Sequence, residues 1–274
     1  MKTVFVTGSF DNLRSRHIRF LEEAAKLGVL CARLWSDATA ERLEGHAPKF
    51  PLDERLYLMN AIRYVSTVEI CPDEAVEADS LPCLSGLQPE VWVVDEAADN
   101  PAKRAFCQSQ GLEYVVIPEA SLSVFPAWSP AQRYPVSSRR KVIVTGCFDW
   151  LHSGHVRFFE EVSALGELYV GVGHDANLRL LKGEGHPLFP EAERRYMVQS
   201  IRFVKEALIT SGHGWMDAEP EIKRVGIDAY AVNAEGDKPE KRVFSAENHL
   251  EYIVLQRTPA PGLPRRQSTD LRGF

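Results

Sequence analysis

Two histidines, His152 and His155, stand three residues apart in the stretch TGCFDWLHSGH, residues 145–155. If both belong to the first turn of a helix, their rings face the same side. A strand, a glycine turn and a helix start make an anion site, because the first N–H groups of a helix are free and its dipole favours negative charge. Two imidazoles beside such a cradle could stabilise charge on a phosphoryl group. Thr145, Gly146, Cys147, Phe148 and Asp149 form the approach to the helix, and Gly154 between the histidines leaves room for a ligand to reach the backbone. Asp149 reads as a residue that holds the turn rather than a metal ligand. A zinc pair is more often HExxH with a third ligand, and none is evident here, so no metal site is expected.

The elements that must position these residues are written twice. Residues 4–28 and 142–166 are identical at 15 of 25 positions. FPLDERLYLMNAIRYV (50–65) lies on FPEAERRYMVQSIRFV (189–204), and NPAKRAFCQSQGLEYVV (100–116) on KPEKRVFSAENHLEYIV (238–254). A repeat of this length means two domains, not a solenoid. The boundaries are expected at 1–124 and 141–274, joined by a Pro- and Ser-rich linker over 125–140. Each half opens on an apolar strand, TVFVTG or KVIVTG. In the second half a helix follows over about 155–165, with Val156, Phe159, Val162 and Leu165 at helical spacing. Gly28 and Gly166 stand where a helix C-cap glycine belongs. VLCARLW and LYVGVG read as buried strands, then helices over 53–64 and 192–203, then strands VWVVD with AYAVN and LEYVVI with LEYIVL. Alternating strand and helix predicts an α/β fold, a doubly wound parallel sheet in each half. Ligands bind such sheets beyond the strand C-termini, which puts 145–155 at the mouth.

Composition sets outer bounds. The net charge of −6 argues against a general nucleic-acid coat. The five cysteines, Cys31, Cys71, Cys83, Cys107 and Cys147, are scattered and odd in number, so neither a disulfide framework nor a zinc site is expected. The start is too short an apolar run for a signal peptide, and no stretch approaches the roughly 20 apolar residues of a membrane span. A soluble, cytoplasmic protein with no membrane or nucleic-acid partner is the expectation.

Taken together, strand–TG–FD–L–HSGH–helix resembles the HxGH signature of the nucleotidylyltransferase superfamily, in its cytidylyltransferase-like branch, with a Rossmann-like fold. The similarity covers residues 141–272, and the first half in degenerate form. Lys182 in LRLLKGEG resembles the family's phosphate-binding lysine. ERRYMVQSIRFV resembles its ERxxxxxxIRYV helix, which implies Arg194 and Arg202 near the phosphates. RTPAPGLPRRQSTDLR resembles the RTxGISTT segment, with Ser268 and Thr269 at the matching hydroxyls. The resemblance implies transfer of CMP, or AMP, from CTP or ATP to a phosphorylated alcohol or sugar, with release of pyrophosphate. His152, His155, Lys182 and Arg202 would do the catalysis, with magnesium carried by the phosphates. The family's GGD turn is replaced by VNAEGD (232–237), where Asn233 or Glu235 could contact the nucleoside. Arg265 and Arg266, in an insertion over 259–267, and Trp215 in GHGWMD are candidates for holding the acceptor. CTP is favoured over ATP by the IRFV helix and the STD ending. The alternative class is a non-catalytic nucleotide-binding or regulatory protein. His174, His213 and His249 read as surface residues. His46 in EGHAP (44–48) and His186 in EGHPL (184–188) read as a shared structural turn.

The first copy carries Arg14 for His152 and Arg16 for Gly154. Arg42 stands roughly where Lys182 does, Arg55 and Arg63 persist, and Asp95 stands at Asn233. Two readings follow. This half is an inactive partner domain, giving a pseudo-dimer within one chain that could dimerise again, or it binds a phosphorylated ligand without turnover.

Overall fold

The computed structural model describes residues 1–71, 82, 84, 88–132, 134, 135, 137–256, 258–268 and 271. The chain divides into two compact units, Met1–Pro126 and Ala127–Phe274. The first contains β1 (Thr3–Gly8), α1 (Ser15–Ala25), β2 (Val29–Leu34), α2 (Asp37–Glu44), α3 (Leu52–Ala61), β3 (Thr67–Ile70), β4 (Val91–Asp95), α4 (Pro101–Gln110), β5 (Glu113–Ile117) and α5 (Glu119–Leu122). The second contains β6 (Lys141–Gly146), α6 (Ser153–Ser163), β7 (Glu167–Val172), α7 (Asp175–Lys182), α8 (Glu191–Gln199), β8 (Val204–Ile209), α9 (Glu219–Val225), β9 (Ala229–Asn233), α10 (Pro239–Glu247) and β10 (Glu251–Leu255). The starts of β1, α1, β2, α2, β4, α4 and β5 recur 138 residues later.

Each unit is one five-stranded sheet of parallel pairs. The orders are β3-β2-β1-β4-β5 and β10-β9-β6-β7-β8. The central strands are apolar on both faces: Val4, Phe5 and Val6 in β1, and Val142, Ile143 and Val144 in β6, are fully buried. That is the pattern of strands covered by helices on two sides. Burying such side chains is worth about 1.5–3 kcal/mol each. Helix α6 buries Val156, Phe159 and Val162, and α1 buries Ile18, Leu21 and Ala24, so equivalent stripes dock the two helices.

The glycines before β2 and β7 do a different job from the one their position suggested. The C-cap residues are Lys26 and Ala164. A Cβ on Gly28 would collide with the carbonyl oxygen of Lys2, and one on Gly166 with that of Arg140. These glycines let the strand entry pass close to its neighbour. In the second unit Tyr134, from the linker stretch, packs on Tyr169 at 6.1 Å and donates to Glu206 at 3.1 Å, while Arg195 lies 4.8 Å over the Trp128 ring. Among the described residues no helix is long and apolar enough to cross a membrane.

Candidate active site

His152 is the cap residue before helix α6, and its φ of −144° and ψ of 172° are extended. Its Nδ1 accepts from the Gly154 N–H at 3.1 Å, so the ring caps the helix and, when neutral, carries its hydrogen on Nε2. The side chain is fully buried. The His155 ring stacks on it with centroids 3.9 Å apart and 23° between planes, and meets Phe148 edge-on at 5.2 Å. Phe148 itself is buried and held at φ +52°, a left-handed conformation that costs a bulky residue on the order of 1–3 kcal/mol. A Cβ on Gly154 would lie 3.0 Å from the His152 ring, so this glycine makes room for the capping imidazole.

A cavity of about 230 Å³ opens beside this turn, beyond the C-terminal ends of the strands. Cys147, Asp149, Trp150, His155, Lys182 and Ser268 line it, together with His186, Leu188, Glu235 and Gln267. His155 and Lys182 thus meet at one space, as the resemblance implied, and Ser268 joins them; Thr269 lies outside the described residues. His152 is behind His155 and does not line the cavity. The Cys147 thiol is pushed up by burial, and the nearby Lys182 charge opposes that shift. Residues that sequence reasoning missed are Trp150, Leu188 and Gln267, and His186, read as part of a structural turn, also faces the cavity. Their signal was indirect: the loop 186–189 is drawn to the site by Asp149.

Several candidates also brace the scaffold. The carboxylate of Asp149 accepts from the backbone N–H groups of Leu188 (2.8 and 2.9 Å) and Phe189 (3.0 Å). Arg194, expected near the phosphates, is buried. It donates to the carbonyls of Phe189 (2.8 Å), Cys147 (2.7 Å) and Gly173 (2.8 Å) and to Asp175 (2.7 Å). Its fork is consumed in tying three loops together. Asn233 accepts from Gly236 N–H at 2.7 Å and closes the short turn after β9. Thr145 points under the mouth, where its Oγ1 lies 2.6 Å from the Tyr230 hydroxyl and 3.3 Å from Lys241 Nζ. Lys241 is buried and its pKa is lowered by that burial.

Arg202 corrects an expectation outright. It precedes β8, whose Val204 pairs with Leu168 near the start of β7, while Gly146 at the site pairs with Val172 at its end. Helix α8 runs back along the sheet, so Arg202 sits at the opposite edge, one strand length or about 17 Å away. Trp215, on a turn at 214–216, is partly exposed beneath Lys238 (5.0 Å) and does not line the cavity. Arg265 pairs with Glu235 at 2.7 Å on the rim, and the Arg266 carbonyl lies over Gly154. His174, read as a surface residue, is half-buried. It caps α7 by accepting from Asn177 N–H on Nδ1 (3.3 Å), and its Nε2 lies 2.8 Å from the Gly212 carbonyl.

The first unit repeats the scaffold and alters the chemistry. Asp11 accepts from Lys49 N–H (2.7 Å) and Phe50 N–H (2.9 Å). Arg55 donates to the carbonyls of Phe50, Ser9 and Trp35 and to Asp37. Phe10 repeats the left-handed turn at φ +48°. Asp95 caps its turn through Ala98 N–H at 2.9 Å. With Arg14 at the cap, His17 reaches back and accepts the Arg14 N–H on Nδ1 at 3.0 Å. Arg42 is not the counterpart of Lys182. Helices α2 and α7 are both eight residues long and 138 apart, so Lys182 corresponds to Glu44.

The chain is similar to several known proteins. The cytidylyltransferase-like family model matches residues 5–140 and again 143–262. An FAD synthase of Methanocella paludicola is 35% identical over 137 residues, 48% of this chain and 93% of that protein. The bifunctional protein HldE of Nitratiruptor sp. is 40% identical over 72 residues, 26% of this chain and only 16% of that relative's length. A solved lipopolysaccharide core biosynthesis protein from Thermoplasma volcanium is 23% identical over 45% of this chain and 99% of its own, with a TM-score of 0.38. With both halves matched, the chain belongs to the cytidylyltransferase-like family of nucleotidyltransferases.

Proposed function

We propose that the second unit transfers a nucleoside monophosphate from a nucleoside triphosphate to a phosphorylated small molecule. The observation that carries this reading is the convergence of His155, Lys182 and Ser268 on one cavity at the strand C-termini, next to the positive end of α6. An oxygen of the acceptor phosphate attacks the α-phosphorus. The new P–O bond forms as the bond to the β-phosphate oxygen breaks, and pyrophosphate leaves with the electron pair. The acceptor is already an anionic nucleophile, so positioning and charge neutralisation replace a strong base. His155 contacts the α-phosphate, Lys182 neutralises the triphosphate, and His152 acts through His155 as a positioning residue. Among the described residues no group of three or more His, Cys, Asp or Glu gathers that could hold a metal ion. Magnesium would enter as part of the nucleotide substrate, with phosphate and water ligands.

ATP is the nucleotide to test first. One of the two grounds for CTP was the IRFV helix, and Arg202 lies at the far edge of the sheet. The FAD named for one relative contains an adenylyl group. The test is pyrophosphate release from ATP and from CTP, with magnesium and a panel of flavin mononucleotide, glycerol phosphate, ethanolamine phosphate and sugar phosphates. Turnover that His155→Ala abolishes supports the reading. Tight nucleotide binding without turnover on any acceptor favours the regulatory alternative, and no binding of either nucleotide sinks both.

A further inference from the structure

The first unit keeps an open cavity at the same place in its sheet, about 190 Å³ against 230 Å³ in the second. Its walls include Phe10, Trp35, Arg16, His17, Glu44 and Asp95. The aromatic walls suit a planar ring, and Val93 and Val94 close its floor with apolar surface. The electrostatics have turned against phosphate. Glu44 occupies the position of Lys182, and Asp95 that of Asn233. Arg16 stands where Gly154 does, but its charge is spent inside the unit: it donates to Asp95 at 2.8 Å and to Glu119 at 2.6 Å. Lys103 donates to the Ala98 carbonyl at 2.6 Å and lies 5.8 Å over the Trp92 ring. His17 has its Nδ1 committed to the helix start. A triphosphate entering here would meet Glu44 and Asp95 and would have to detach Arg16 from two carboxylates. An uncharged ligand disturbs none of these pairs, and carboxylates at the rim can accept from hydroxyl and amino groups.

We propose that the cavity of the first unit binds an uncharged nucleoside, an amino-bearing base on its ribose, and excludes the corresponding triphosphate. This is independent of whether the second unit turns over. Each cavity carries one tryptophan, Trp35 in the first and Trp150 in the second, which gives a direct test. The full chain is labelled with 5-fluorotryptophan and its ¹⁹F spectrum assigned with Trp35→Phe and Trp150→Phe. Adenosine or cytidine should move the Trp35 resonance saturably, at one equivalent, and leave Trp150 in place. ATP or CTP with magnesium should leave Trp35 unmoved at ten times the concentration at which the nucleoside saturates. The double variant Arg16→Gly, Glu44→Lys should let the triphosphate move Trp35. The inference falls if neither nucleoside moves Trp35, or if the triphosphate moves it as readily as the nucleoside. A Trp150 resonance indifferent to triphosphate would count against the proposed catalytic site alone.

Discussion

His17 gives a sharp test of how the first unit has been rebuilt. It is the third residue of α1, and its ring accepts the Arg14 N–H, the backward half of a capping box. Burial, and then the charge of Arg16, push its pKa from 6.5 down to about 4. The sign follows from linkage. Between these values the unfolded chain binds a proton that the folded chain does not, so stability is lost as pH falls from about 6.5 towards 4. Each pH unit between the two values is worth about 1.4 kcal/mol, so the loss at pH 5 relative to pH 8 is about 2 kcal/mol, and below pH 4 it approaches about 3 kcal/mol. Gln at this position accepts the same N–H and does not titrate. His17→Gln should match wild type within about 1 kcal/mol at pH 8 and exceed it by about 2 kcal/mol at pH 5. Hydrogen exchange of β1 and β4 amides, read by mass spectrometry at both pH values, reports the first unit separately. Equal pH slopes in wild type and variant would refute a His17 held neutral in the folded unit.

Three further outcomes are expected. His155→Ala should lower kcat by about 10²–10³ with little change in nucleotide KM, whereas His152→Ala should lower kcat and also destabilise the second unit by about 1 kcal/mol through the lost cap, separable by steady-state kinetics and urea melts. Lys182→Glu, which copies the first unit, should raise nucleotide KM and cost on the order of 10² in kcat/KM, with Lys182→Arg retaining most of it. Arg194→Lys should destabilise the second unit by about 3 kcal/mol, and Arg55→Lys the first by a similar amount, because a single ammonium cannot replace a buried fork that holds three carbonyls and a carboxylate; denaturant unfolding followed by hydrogen exchange measures each.

The sheet was legible because its strands are continuous apolar runs. VWVVD and AYAVN form β4 and β9 over the residues read for them. The histidine pair was legible as two rings on one side of a helix start, but their different places were not. Which ring caps and which faces the cavity depends on the helix beginning at Ser153 rather than two residues later. Arg202 was misplaced, and the bracing bonds of Arg194 and Asn233 were not foreseen, for a common reason: charge and polarity in a motif say nothing about direction. The repeat itself held the missing information. Arg55 and Arg63 persist at the positions of Arg194 and Arg202 in a half that carries Arg14 for His152 and Arg16 for Gly154, which marks those two positions as parts of the scaffold. Matching Lys182 to Arg42 followed charge instead of offset and hid the reversal at Glu44.

The duplicated chain therefore works as its own control. Both units hold a phenylalanine in the left-handed region, both brace that turn with an aspartate across to the next loop, and both bind it from below with a buried arginine. A strained turn kept only for catalysis would relax once the catalytic residues were replaced, since relief is worth on the order of 1–3 kcal/mol. It has not relaxed beside Arg14 and Arg16. The turn is thus part of how each sheet closes its mouth, and different side chains face the cavity beside it: His155 and Lys182 in one, and the Arg16–Asp95 pair with Glu44 in the other. Function in this chain can change by exchanging those side chains while the braces beneath them stay the same.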